Sequence, residues 1–112
     1  MNFNVIITDN FGRKLKKLSK KYRSMKEDFK ELFLSLETNP KQGILLSEDC
    51  YKIRLAISSK GKGKSGGARV ITYIINADNN VFLLDIYDKS EQNNISDKEL
   101  KTLIQLAKDF NE

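Results

Sequence analysis

Tyr51-Lys52-Ile53-Arg54-Leu55-Ala56-Ile57 is followed by Ser58-Ser59-Lys60-Gly61-Lys62-Gly63-Lys64-Ser65-Gly66-Gly67 and then by Ala68-Arg69-Val70-Ile71-Thr72-Tyr73-Ile74-Ile75. This reads as strand, flexible loop, strand. Tyr51, Ile53, Leu55 and Ile57 fall on one side of the first run and Lys52 and Arg54 on the other, the period of two of a half-buried strand. In the second run Arg69 and Tyr73 share one face, and Val70, Thr72 and Ile74 share the other. Between them three lysines alternate with glycine and serine. Glycine lets the backbone bend and approach a ligand closely, and lysine adds mobile positive charge, so the loop suits a phosphate-bearing partner. Gly63-Lys64-Ser65 matches the end of a nucleotide P-loop. The position five residues before Gly63 is Ser58, however, and a strand follows where that motif needs a helix N-terminus. The plain alternative is a hairpin loop whose lysines serve solvation.

On the N-terminal side, Phe3, Val5 and Ile7 alternate and predict a strand over 3–8. Phe11, Leu15, Leu18, Tyr22 and Met25 then recur every three or four residues, the stripe of an amphipathic helix. Its opposite face carries Arg13, Lys14, Lys16, Lys17, Lys20, Lys21 and Arg23, which reads either as a solvated face or as a basic surface for RNA backbone. Ser24 and Glu27 have the spacing of a capping box for a second helix, with Phe29, Leu32, Phe33 and Leu36 on its buried face. Asn39-Pro40 ends it, because the residue before proline avoids helical angles. Residues 41–49 read as a loop.

On the C-terminal side, Asp78-Asn79-Asn80 is turn chemistry. Val81-Phe82-Leu83-Leu84-Asp85-Ile86-Tyr87 is almost continuously apolar, as a central strand covered on both faces would be. Ser96 and Glu99 open a last helix with the stripe Leu100, Leu103, Ile104, Ala107 and Phe110. The expected order is β-α-α-β-β-β-α, an α+β fold occupying 1–112 as one domain. An antiparallel sheet would carry a helical hairpin on one face. Lys52, Arg54, Arg69, Tyr87 and Lys89 would converge on the other.

The chain has 112 residues and a net charge of +5. Residues 1–40 carry nine Lys/Arg against five Asp/Glu, residues 41–75 seven against two, and residues 76–112 four against eight. The positive charge therefore lies on the first helical region and the central strands, and a polyanion such as nucleic acid, a ribosome or an acidic protein fits it. The lone cysteine, Cys50, excludes an intrachain disulfide and points to a reducing cytoplasm. With no histidine to serve as its base, Cys50 reads as a packed residue rather than a nucleophile. No apolar run has transmembrane length, and no signal-peptide core opens the chain.

Tyr51-Lys52-Ile53-Arg54, the Lys-Gly-Lys-Gly-Lys-Ser-Gly-Gly loop, Ala68-Arg69-Val70-Ile71-Thr72-Tyr73 and Ile86-Tyr87-Asp88-Lys89-Ser90-Glu91 together resemble the RelE/HigB family of type II toxins, most of all the HigB-like branch with a lysine-glycine loop. The resemblance covers most of the chain, including element order. It implies a RelE/ParE-like fold and a ribosome-dependent mRNA endoribonuclease, an mRNA interferase that inhibits translation. It also implies a cognate antitoxin of helix-turn-helix type, and ribosomes with mRNA in the A site as the other partner. Family catalytic positions fall on Lys52, Arg54, Arg69 and the segment holding Lys89. Where some relatives follow the Lys89 position with arginine, this chain has Ser90, and it has no tyrosine after Tyr87.

Cleaving RNA without a metal requires a 2′-hydroxyl deprotonated, an in-line phosphate stabilised and a leaving 5′-oxygen protonated. Carboxylates are sparse in the basic middle of the chain, so no magnesium site and no cofactor is expected, and the work falls to Lys, Arg and Tyr. Neighbouring cations would lower a lysine's pKa toward the useful range. The expectation is Lys52 or Arg54 near the attacking hydroxyl, Arg69 on the phosphate through its planar fork of donors, and Lys89 or Tyr87 at the leaving group. Lys60, Lys62 and Lys64 of the loop and Lys16, Lys17 and Lys20 of the helix would bind RNA. Two functions compete with this one: a non-catalytic basic nucleic-acid-binding module, and a ParE-like toxin of the same fold directed at gyrase. A toxin that has lost activity, consistent with Ser90, is a further alternative.

Overall fold

A computed structural model describes residues 2–111. The elements are β1 (Asn4–Ile7), α1 (Asp9–Lys21), α2 (Met25–Thr38), β2 (Ile44–Ser47), β3 (Cys50–Leu55), β4 (Ala68–Ile75), β5 (Asn80–Asp88) and α3 (Asp97–Asn111). The five strands form one sheet in the order β1-β5-β4-β3-β2. β3, β4 and β5 are antiparallel neighbours, as the sequence led one to expect, and β2 pairs antiparallel with β3. β1 instead joins β5 in parallel, so the sheet is mixed. The other addition is β2. Residues 41–49 read as a loop, yet Ile44–Ser47 pairs with Cys50–Lys52 as a short edge strand, with a register irregularity between Leu45 and Ser47. Ile44 and Leu45 are both more than half exposed, so no alternation marks the segment as a strand.

Each face of the sheet packs on its own apolar cluster. On one side Phe11, Leu18, Met25, Phe29, Leu32 and Leu36 of the two N-terminal helices bury Ile53, Val70, Ile74, Val81, Leu83 and Ile86. On the other, Leu100, Leu103 and Ala107 of α3 cover Cys50, Ile71, Phe82 and Leu84. The second face is therefore not open along its whole length. Burial pushes the Cys50 thiol up to about 11, which leaves it protonated and inert at neutral pH.

The helix ends show how side chains substitute for missing backbone partners. The Thr8 hydroxyl accepts from the Phe11 N–H and donates to the Leu83 carbonyl, tying the start of α1 to β5. The Ser96 hydroxyl accepts from the Glu99 N–H at the start of α3. Ser24 does not make the capping bond that its spacing to Glu27 predicts. Its hydroxyl donates to Asp28 and meets Ser59, both its N–H and its hydroxyl, so it fastens the lysine loop instead.

Candidate nucleic-acid interface

The β3–β4–β5 register lines up Arg54, Arg69 and Tyr87 as one cross-strand row. Lys52, Ile71 and Asp85 form the parallel row two residues on. Residues in direct register share a face, so four of the five expected catalytic side chains start from one side of the sheet. Their surroundings then separate them.

Lys52 and Arg54 reach the open part. β2 is too short to cover β3 beyond Lys52, so the edge at 53–55 has no outer strand. A groove of about 450 Å³ runs there between β3 and α2. Lys52, Arg54 and Lys64 line it together with Asp28, Glu31, Gln42 and Ser35. The two acids escape a reading of the basic middle of the chain because they lie on α2. Spacings of three and four along Asp28, Glu31, Leu32 and Ser35 place one helix face on the groove.

Arg69 does not line this groove. It is only 6% exposed. Its Nη1 donates to the carbonyls of Lys64 at 2.9 Å and Ala68 at 3.1 Å, and its Nη2 lies 3.4 Å from the Ser65 carbonyl. The expected fork on a phosphate is, in this structure, a fork on loop carbonyls. Tyr87 is also buried, and its hydroxyl has no hydrogen-bond partner. Burial raises its pKa, Asp85 adds to the rise and Arg69 opposes it. Tyr87 thus keeps its proton at neutral pH. Lys89 extends the ladder, its N–H donating to the Gly67 carbonyl, while its Nζ is turned onto the Asn93 carbonyl at 2.9 Å.

The three loop lysines have different fates. Lys62 and Lys64 are exposed. Lys60, expected among the RNA-binding lysines, is turned onto a carboxylate instead of standing open to solvent. Its ammonium donates to Asp88 at 2.9 Å and lies 5.2 Å from the Tyr22 ring centroid, with the side chain 10% exposed. The bond to Asp88 raises its pKa, against the effect of burial. Asp88 is 3% exposed and accepts from Tyr22, Lys60 and Ser90. Burial alone would raise its pKa, but those bonds outweigh burial and hold the carboxyl well below the usual carboxylate range. Asp28 similarly accepts from the Ser58 N–H, the Ser58 hydroxyl and the Ser24 hydroxyl. Its own pKa is also lowered, the bonds from Ser58 and Ser24 overcoming burial. The start of the loop is thereby pinned at Ser58, Ser59 and Lys60.

The far end closes at Gly67. A Cβ added there would lie 2.2 Å from the Leu55 carbonyl oxygen, so the two backbones meet where no side chain fits. Gly67→Ala is expected to destabilise the protein by about 1–3 kcal/mol, as overpacking does, read as a lower midpoint in denaturant.

On α1, Lys16, Lys17 and Lys20 are exposed. Lys14 and Lys21 are engaged instead, with the buried Asp85 at 2.7 Å and with the exposed Glu91 respectively. Among the described residues no three His, Cys, Asp or Glu side chains converge as a metal site.

The fold and the site define a small α+β protein with a groove at a sheet edge, lined by Lys52, Arg54 and Lys64 and by the acids Asp28 and Glu31. A family model described as RelE toxin of RelE / RelB toxin-antitoxin system matches residues 12–112, and the chain belongs to that family. Solved structures share the fold. A free arginine-to-alanine mutant of the E. coli toxin RelE matches at TM-score 0.63 and 18% identity, over 94% of this chain and 97% of that one. The RelBE2 toxin–antitoxin complex from Mycobacterium tuberculosis matches at 0.58 and 20%, over 79% and 92%. The E. coli RelE mutant bound to an antitoxin RelB peptide matches at 0.56 and 23%, over 81% and 90%.

Proposed function

We propose that residues 1–112 act as one toxin domain, a ribosome-dependent, metal-independent endoribonuclease that cleaves mRNA in the A site. The observation that carries this reading is the groove in which Lys52, Arg54 and Lys64 meet at the uncovered edge of β3. Three cations with no carboxylate bonded to them, among the described residues, are available to a phosphodiester backbone. In a partly desolvated groove such contacts stabilise charge that builds on the phosphate. Lys52 or Arg54 faces the attacking 2′-hydroxyl, and Lys89 or Tyr87 supplies the proton to the leaving oxygen. Tyr87 suits that role through its retained proton, Lys89 through its shorter path to solvent. Lys62 and the exposed lysines of α1 hold the flanking backbone and the ribosome by counterion release.

Weak acids and bases make slow cleavage of free RNA, and the ribosome restores rate by fixing the RNA in line. The site of action is then the cytoplasm. The lysine-glycine loop supports a place in the HigB-like branch of the family. A cognate antitoxin is in keeping with a family defined by the RelE / RelB toxin-antitoxin system and with the E. coli RelE mutant bound to an antitoxin RelB peptide. An acidic antitoxin segment laid on the groove would be complementary in charge.

Induced expression without an antitoxin is expected to arrest growth and leave mRNAs cut within reading frames, and co-expression of the antitoxin to relieve it. Arrest with intact mRNA and inhibited gyrase would favour the ParE-like function instead. Binding to RNA with neither arrest nor cut mRNA would favour the non-catalytic module.

A further inference from the structure

We propose that Arg69 is a positioning residue that works through Lys64, holding the far limb of the lysine loop so that the Lys64 ammonium stands at the groove beside Lys52 and Arg54. This rests on the endoribonuclease reading above and assigns a division of labour within that site. The start of the loop has its own anchors, Asp28 on Ser58 and Asp88 on Lys60. Beyond them the chain passes through Gly61 and Gly63, both at positive φ, 70° and 63°. A Cβ at either glycine would meet nothing within 4 Å. The stretch from Gly61 to Gly63 therefore transmits little of the anchoring at Ser58–Lys60 to Lys64.

What holds Lys64 lies on its other side. Its carbonyl accepts from Arg69 Nη1 at 2.9 Å and from the Gly67 N–H at 3.2 Å. The second bond comes from Gly67, which is itself held at the sheet by the Lys89 N–H. Arg69 is the side-chain link from the limb to the sheet, since the same Nη1 also donates to the Ala68 carbonyl in β4. A guanidinium buried to this degree keeps its donors satisfied, and taking them to a phosphate would strip the limb of its side-chain anchor, leaving only the weaker bond from the Gly67 N–H. The arrangement divides two tasks: Lys64 meets the RNA, and Arg69 fixes where Lys64 stands.

A double-mutant cycle tests this with the full-length protein on programmed ribosomes, using Arg69→Ala, Lys64→Ala and both together. Loss of one charge-assisted phosphate contact lowers kcat/KM about 10- to 100-fold. Acting through Lys64, Arg69→Ala gives a loss of similar size, and the double variant loses no more than the larger single loss. Ribosome binding measured against salt adds an arm that needs no cleavage. Each single variant lowers the slope of log affinity on log salt by about one contact, and the double variant also by one rather than two. Losses that multiply, or a slope that falls by two, would show Arg69 touching RNA itself or merely stabilising the fold, and would overturn the proposal. If Arg69→Ala does not fold, Arg69→Lys serves in the same cycle, since one ammonium cannot reproduce the fork on both carbonyls. Should the wild type bind programmed ribosomes but cut nothing, the endoribonuclease reading fails, while the salt arm still decides the role of Arg69.

Discussion

Alanine at both Lys52 and Arg54 is expected to reduce mRNA cleavage on programmed ribosomes by about 10³-fold or more, since removing a single preorganised donor at a developing charge costs about 10²–10³. The fold should survive. Arg54 is exposed and Lys52 partly so, and neither side chain takes part in a hydrogen bond or ion pair among the described residues. Substitutions of that kind shift stability by about 0.5 kcal/mol or less. The measurement is single-turnover cleavage beside a denaturant midpoint for the same sample. A double variant that folds and cuts like the wild type would remove these two side chains from the chemistry.

Asp88 carries the largest expected effect on stability. Asp88→Asn leaves the Lys60 ammonium, a side chain only 10% exposed, facing a neutral group. Breaking a buried pair in this way costs about 3–5 kcal/mol. The pH dependence has a definite sign. The folded pKa of Asp88 lies below its ordinary value of 3.8, so its contribution is complete above that value and is lost as pH falls through and below it. Unfolding in denaturant at pH 7 and pH 3 should show a wide gap between wild type and Asp88→Asn that narrows at the lower pH. A gap that stays constant would mean that the charge of Asp88 is not what secures the loop.

Most of the fold is legible because side-chain periods are local. The stripes of the three helices and the alternation in β3 and β4 follow from residues a few positions apart. β2 escaped because Ile44 and Leu45 face solvent at the sheet edge and only its pairing with Cys50–Lys52 makes it a strand. The parallel seating of β1 on β5 depends on closure across more than seventy residues, which no local period records. The covering of the second face did leave a trace. The unbroken apolar run Val81–Leu84 signals burial on both sides, and α3 provides the second cover.

The site was legible at the level of rows and obscure at the level of side-chain ends. Alternation put Lys52, Arg54, Arg69 and Tyr87 on one face, and the register agrees. Which cations remain open depends on distant partners: Asp88 for Lys60, Asp85 for Lys14, and the carbonyls of Lys64 and Ala68 for Arg69. The carboxylates of Asp28 and Glu31 enter the groove from a helix that sequence analysis placed only in the core. A lysine-rich loop looks uniformly cationic in sequence, yet one of its lysines is structural.

The most direct measurement adds the purified protein to one mRNA in two states, free and held in ribosomes with a vacant A site, and maps the new 5′ ends. Cuts are expected within the A-site codon on ribosomes and essentially none on the free strand. Equal cutting of the free mRNA, or no cutting in either state by a folded protein, would contradict it.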